Sequence, residues 1–211
     1  MAEEAELLQI IKRVGAFKTH DHFVGVSGKH FESYLVKDIV FARTALASRV
    51  GELFALRNQD LDIDAVAGPA VGGVVLSQWT AFHLSRLKGK EIYSVYTDKT
   101  PENGQVLGRG YADFVSGRKT LVLEDSVRTG GTVHKVMEAV RAQRGEIAAV
   151  SVMLNVTPDQ VTEATFGVPF RPLVEFHVPS FAAADCPMCR RRMPVNIQFA
   201  HGKKFMESQS K

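Results

Sequence analysis

Cysteine is nearly missing from this chain. Its 211 residues hold two, both in one C-x-x-C, Cys186 and Cys189. Zinc needs about four ligands, and no second C-x-x-C exists to supply the other two. His177 and His201 are near enough in sequence to complete a set, but nothing in their spacing requires it. The two thiols therefore read as a reduced pair in a turn. A redox role is disfavoured, because the thioredoxin-like context is absent. The net charge is only +3, too small for a nucleic-acid surface. The cluster Arg190-Arg191-Arg192 reads as solvated. No secretory apolar segment and no apolar run of bilayer length occur, which predicts a cytoplasmic protein without a membrane partner. Internal repeats and low-complexity stretches are also lacking. Apolar content of 45% and charged content of 23% suit a soluble globule with one sizeable core.

What is present is an alternation of elements. Leu7, Ile10, Ile11 and Val14 share one face of a helix over 4–14. A second helix is expected over 39–57, with Leu46, Val50 and Phe54 in register. Strands at 63–67, 91–96, 120–124 and 147–154 alternate with helical patterns. That order predicts an α/β protein with a parallel sheet and right-handed crossovers.

The densest chemistry lies in 121–132, LVLEDSVRTGGT. An apolar run, Leu121-Val122-Leu123, delivers Glu124 and Asp125 to the end of a strand. Ionised carboxylates only accept hydrogen bonds and suit a pair of sugar hydroxyls. If the chain leaves the sheet here, both can converge on one sugar. Next come Ser126, Val127, Arg128, Thr129, Gly130, Gly131 and Thr132. The glycines permit close backbone approach, and their N–H groups with the threonine hydroxyls can surround a phosphate at a helix N-terminus. Val133, Val136, Met137 and Val140 mark that helix, and Gly145 its stop. Vicinal hydroxyls and a phosphate together describe a ribose 5-phosphate.

Three other segments are weaker on their own. Ala67-Gly68-Pro69-Ala70-Val71-Gly72-Gly73 lies between a short strand and the helix pattern Val74–Leu87, and alone it is a generic glycine-rich loop. Residues 99–110, from Lys99 through Arg109 to Gly110, are rich in turn formers and alone read as a surface loop. Ser27-Gly28-Lys29-His30, followed by Tyr34, reads alone as a polar turn before a strand.

Together these segments resemble the type I phosphoribosyltransferases, and most closely their orotate phosphoribosyltransferases. LVLEDSVRTGGT resembles the family's phosphoribosyl-pyrophosphate (PRPP) motif. S-G-K-H with Tyr34 and Lys37-Asp38 resembles the orotate enzymes' segment over the base. The C-P-x-C and Pro194-Val195-Asn196 tail occurs in a subset of them. The resemblance runs from about residue 20 to the end. It implies one domain over 1–211, with a core at about 39–169 and a small hood from about 18–38 and 170–211. It implies that Ala70, Val71 and Gly72 bind the diphosphate. Residues 99–110 become a flexible catalytic loop, with Lys99 as the cation for the leaving diphosphate and Arg109 as a second. Glu124 and Asp125 become catalytic residues gripping the ribose. Ser27, Gly28, Lys29 and Tyr34 are assigned to the base. Mg²⁺ is the implied cofactor, bound through PRPP and water without direct protein ligands. A homodimer is implied as well.

The chain departs from the orotate pattern at the base. Val26 stands where many orotate enzymes have lysine, and Tyr96-Thr97 where they have an Arg-Lys pair. Leu154-Asn155-Val156 lacks the arginine that meets orotate's carboxylate, a bidentate contact that is hard to replace. Arg128 either supplies a cation to an acidic base or faces solvent or phosphate. Three readings therefore stand: an orotate enzyme, a PRPP-dependent enzyme for another base such as a purine, and a PRPP-sensing regulator.

Overall fold

The computed structural model describes residues 2–209. In chain order it runs α1 (Ala2–Arg13), β1 (Phe17–Lys18), β2 (Phe23–Val24), β3 (His30–Phe31), β4 (Tyr34–Leu35), α2 (Asp38–Phe41) and α3 (Thr44–Arg57). It continues with β5 (Ala65–Pro69), α4 (Gly72–Lys88), β6 (Tyr93–Lys99), β7 (Gln105–Val106), α5 (Ala112–Val115), β8 (Lys119–Val127), α6 (Gly131–Ala142) and β9 (Glu146–Asn155). It closes with α7 (Glu163–Phe166), β10 (Val174–Glu175), a 3-10 turn (Ala183–Asp185), α8 (Pro187–Arg190) and α9 (Gly202–Gln209). No helix among the described residues is long and apolar enough to cross a membrane.

The chain forms two units. The first comprises Met1–Ile10 and Phe41–His177, the second Ile11–Val40 and Val178–Lys211. The first is built on a six-stranded sheet in the order β10-β9-β8-β5-β6-β7. All neighbours run parallel except β7, which returns antiparallel to β6. The central strands are buried: β5 throughout, and β8 from Thr120 to Asp125. Strands enclosed on both faces read as continuous apolar runs, and this is the reason those segments do. The apolar stripe of α6, Val133, Val136, Met137 and Val140, closes a core with Val122, Val150 and Val152. Gly145 is tight as well as terminal, since a Cβ there would meet Val140 Cγ1 at 2.6 Å.

The strand order has one reversal. From β5 the chain crosses through α4 to β6 on one side; from β8 it crosses through α6 to β9 on the other. Right-handed crossovers in opposite directions carry the two helices to opposite faces. The loops after β5 and β8 therefore diverge at neighbouring strand ends, the crevice where open α/β sheets bind ligands.

Three local expectations need correcting. The expected helix over 39–57 is two helices, because Arg43 is extended (φ −101°, ψ 100°) and restarts the helix at Thr44. Strand β8 runs to Val127 instead of ending at Glu124, so the chain does not leave the sheet at the two acids as expected. Its ladder to β9 continues through Val127↔Asn155, whereas its pairing with β5 stops at Val122↔Ala67. Residues 99–110 also hold a hairpin, with Lys99 opposite Gln105 and Asp98 opposite Val106.

The second unit has little regular structure. β1 pairs with β4 and β2 with β3, each over two residues. Phe23, Phe31 and Tyr34 pack ring against ring, with centroids 5.5–6.2 Å apart. The C-terminal segment is stitched to the hairpin: His30 and Phe181 exchange backbone bonds at 2.8 and 2.9 Å, Asn196 N donates to His22 O, and Asn196 Nδ2 donates to Asp21 Oδ2.

Candidate active site

The acids sit where β8 has lost β5 but kept β9. Glu124 and Asp125 are each 8% exposed. The amide of Asp125 donates to Glu124 Oε1 at 2.9 Å, and Ser126 Oγ donates to Asp125 Oδ1 at 3.1 Å. Beyond them the chain turns at Gly130, whose φ of +81° suits glycine, and α6 begins at Gly131. No side chain caps this helix and no acid occupies its first turn. Its leading N–H groups and dipole are thus available to an anion. Thr129, Gly131 and Thr132 are exposed there.

The loop after β5 has the same plan. Helix α4 begins at Gly72 behind Val71, again without a side-chain cap or a first-turn acid. The Ala70–Val71 peptide is cis. Ala70 N donates to Thr97 O at 2.9 Å, which fixes this loop to the end of β6. Val71 is 79% exposed. Two uncapped helix starts and two buried acids thus share the switch point of one sheet.

The 99–110 hairpin leans on α6 through Lys135 Nζ, which donates to Asn103 O at 2.6 Å. Lys99 is exposed at the end of β6. Arg109 donates to Asp98 Oδ2 at 3.3 Å and lies over the Tyr96 ring, 5.5 Å from its centroid. The position where orotate enzymes carry an Arg-Lys pair therefore holds an aromatic that itself contacts a guanidinium. Thr97 is buried and donates to Gln105 Oε1 at 2.7 Å.

Arg128 is half-buried, and burial lowers the pKa of its guanidinium from the ordinary value. Its carbonyl accepts from Thr157 Oγ1 at 2.7 Å, which holds the turn. Asn155, at the strand end lacking the expected arginine, is spent internally on Val161 O, Glu175 Oε1 and the amide of Thr157.

In the second unit, Ser27, Gly28 and Lys29 are exposed at the tip of the β2–β3 hairpin, where Gly28 has φ +73°. Tyr34 is half-buried against Phe23 and Phe31. The histidines beside the cysteines are His22 and His30, not His177 and His201. His177 meets Asp159 instead, at 3.3 Å. No periodicity flagged His22 and His30; only strand pairing brings them together.

Comparison with known proteins identifies the family. The family described as "Phosphoribosyl transferase domain" matches residues 37–164. The orotate phosphoribosyltransferase of Thermotoga maritima is 32% identical over 198 residues, 93% of this chain and 98% of its own. That of Thermoanaerobacter sp. (strain X514) is 30% identical over 193 residues, 92% and 95% of the two chains. A crystal structure of Mycobacterium tuberculosis H37Rv orotate phosphoribosyltransferase in complex with inorganic phosphate has a TM-score of 0.64. It is 20% identical, covers 83% of this chain and 96% of its own, and so speaks to the fold. The chain belongs to the type I phosphoribosyltransferase family and is most like its orotate phosphoribosyltransferases.

Proposed function

We propose that this protein transfers the 5-phosphoribosyl group of PRPP to orotate, giving orotidine 5'-phosphate and diphosphate. The observation that carries the reading is the buried pair Glu124–Asp125 ahead of the uncapped start of α6. Relatives named for this reaction, alike over more than nine-tenths of the chain, support it.

In this reading the α6 turn, residues 126–132, holds the 5-phosphate, and Glu124 and Asp125 accept from the ribose hydroxyls. Ala70, Val71 and Gly72 present backbone N–H groups to the diphosphate. A ring nitrogen of the base attacks C1, the C1–O bond to diphosphate breaks, and the anomeric centre inverts. Positive charge grows on the ribose, where the two acids stabilise it. Negative charge grows on the leaving group, where Lys99 and Arg109 act as the hairpin folds inward. No residue of this chain is assigned to hold Mg²⁺, which bound together with PRPP would neutralise charge on the diphosphate. Ser27, Gly28, Lys29 and Tyr34 are assigned to the base, and Arg128 to the orotate carboxylate. The partner is a second copy of the chain, and the location cytoplasmic.

Diphosphate release from PRPP and Mg²⁺, measured with orotate and the common purines in parallel, tests this. Orotate-dependent release is expected. Release with a purine alone moves the protein to base salvage. PRPP binding without turnover on any base indicates a sensor.

A further inference from the structure

We infer that the second unit carries a structural zinc site made by His22, His30, Cys186 and Cys189. One ligand atom from each of the four lies within 4.8 Å of the other three. Cys186 Sγ is 3.7 Å from His22 Nε2, while Cys189 Sγ is 3.7 Å from His22 Nε2 and 3.4 Å from His30 Nδ1. With Zn–S of about 2.3 Å and Zn–N of about 2.0 Å, a tetrahedron has sulfur–nitrogen edges of about 3.5 Å and nitrogen–nitrogen edges of about 3.3 Å. Three of the four sulfur–nitrogen distances, 3.7, 3.7 and 3.4 Å, lie close to that value. The two nitrogens, 2.7 Å apart, must separate by roughly 0.6 Å to reach it, a small ring rotation.

The hydrogen bonds around the cluster favour an ion over a purely protonic network. His22 Nδ1 lies 2.8 Å from Met193 O, a pure acceptor, so Nδ1 carries the proton and Nε2 presents its lone pair. That single lone pair faces His30 Nδ1 and both sulfurs. It accepts well from one donor, whereas one dication takes all four ligands. A backbone carbonyl fixing the tautomer of a ligating histidine is the usual outer support of a zinc site. The amide of Cys189 donates to Cys186 Sγ at 3.4 Å, a bond that also suits a metal-bound thiolate.

Other uses of the cysteines fit less well. Redox cysteines need access, and Cys186 is fully buried. A two-iron cluster spreads its histidine and cysteine ligands over two metals, but here all four ligand atoms lie within 4.8 Å of one another. Two sulfurs and two imidazoles are a donor set that suits zinc.

The unit also needs such a tie. It has roughly sixty residues in two chain segments, a size at which a hydrophobic core alone is marginal. His22 and His30 flank the hairpin tip carrying Ser27, Gly28 and Lys29, so zinc would brace the segment that the proposed function assigns to the base. That last consequence rests on the proposed function; the metal site does not.

The test is metal analysis of the whole protein, purified without chelator from zinc-supplemented cells. About one zinc per chain is expected, falling at least tenfold in Cys189→Ser and in His22→Ala. If those variants fail to fold, cobalt titration of chelator-stripped wild type replaces them. A tetrahedral visible spectrum with a thiolate charge-transfer band supports the site. The idea is overturned by wild type that holds no zinc and gives no tetrahedral cobalt spectrum. A Cys186–Cys189 disulfide found by alkylation mass mapping also overturns it, as does full zinc content in folded Cys189→Ser. None of these readouts depends on turnover, so failure of the orotate reading would leave them intact.

Discussion

A Cβ placed on Gly68 would stand 2.8 Å from the Cα of Gly73, and one placed on Gly73 would stand 2.5 Å from the carbonyl carbon of Gly68. Strand β5 and the first turn of α4 touch backbone to backbone. That contact aims the start of α4 at the sheet end. Gly73→Ala should therefore destabilise the protein by about 1–3 kcal/mol, the usual range for forcing atoms into a filled space. Its PRPP affinity should also fall. Denaturant melts and PRPP titration measure the two effects; a variant with unchanged melting and unchanged affinity would falsify the close-packing argument.

Glu124→Gln and Asp125→Asn keep the shape of each side chain and remove its charge. A hydrogen bond to a charged group contributes about 1.5–3 kcal/mol, so each variant should lose about 10- to 100-fold in kcat/KM for PRPP. Steady-state kinetics at saturating orotate measure it. Wild-type values in both variants would take the ribose away from these acids.

Arg128→Ala separates the base from the sugar phosphate. Orotate KM should rise about 10- to 100-fold while PRPP KM moves little, because a charged hydrogen-bonded contact is lost on one substrate only. An orotate KM that does not change removes Arg128 from the base. A rise confined to PRPP hands the residue to the phosphate.

The pair Asp60–Arg171 sets part of the acid response. Arg171 hydrogen-bonds Asp60 and holds its carboxyl below the usual carboxylate range; Arg49 does the same to Glu6, and Lys90 to Asp64. A carboxylate whose folded pKa is depressed adds stability above its unfolded pKa and loses it as pH falls through the folded value. Melting temperature should thus be level above about pH 5 and drop below about pH 4. Asp60→Asn should lower it at neutral pH and flatten the acid slope. The cost stays under about 1 kcal/mol, because Asp60 is largely exposed. A slope identical to wild type would mean Asp60 plays no part.

Much of the first unit is legible in residue order. Buried parallel strands need uninterrupted apolar runs, so Leu121-Val122-Leu123 identifies β8 without any neighbour. The α6 stripe at Val133, Val136, Met137 and Val140 identifies its helix equally well. The strand's true end is not local, because Ser126 and Val127 continue the strand by pairing with Leu154 and Asn155 of β9. The break at Arg43 carries neither proline nor glycine and leaves no mark in the sequence. The four-residue cluster of the second unit was hidden for the same reason. Its halves lie more than 150 residues apart, and the Val24↔His30 pairing is what turns His30 toward it. The sequence offered His177 and His201 without any spacing that required them, and proximity in space selects His22 and His30.

The division of the second unit between two distant segments also orders its birth on the ribosome. His30 needs Phe181 for its backbone partners, and His22 needs Asn196 for the same purpose. At about 5–20 residues per second, Phe181 follows His30 by roughly 8–30 s. All six strands of the large sheet are synthesised in that interval. The nascent hairpin must wait for these C-terminal partners while the rest of the chain emerges. A chain broken off before residue 181 lacks the backbone partners of His30 and His22 in the C-terminal segment, so completion of the hairpin unit requires that translation has reached that segment.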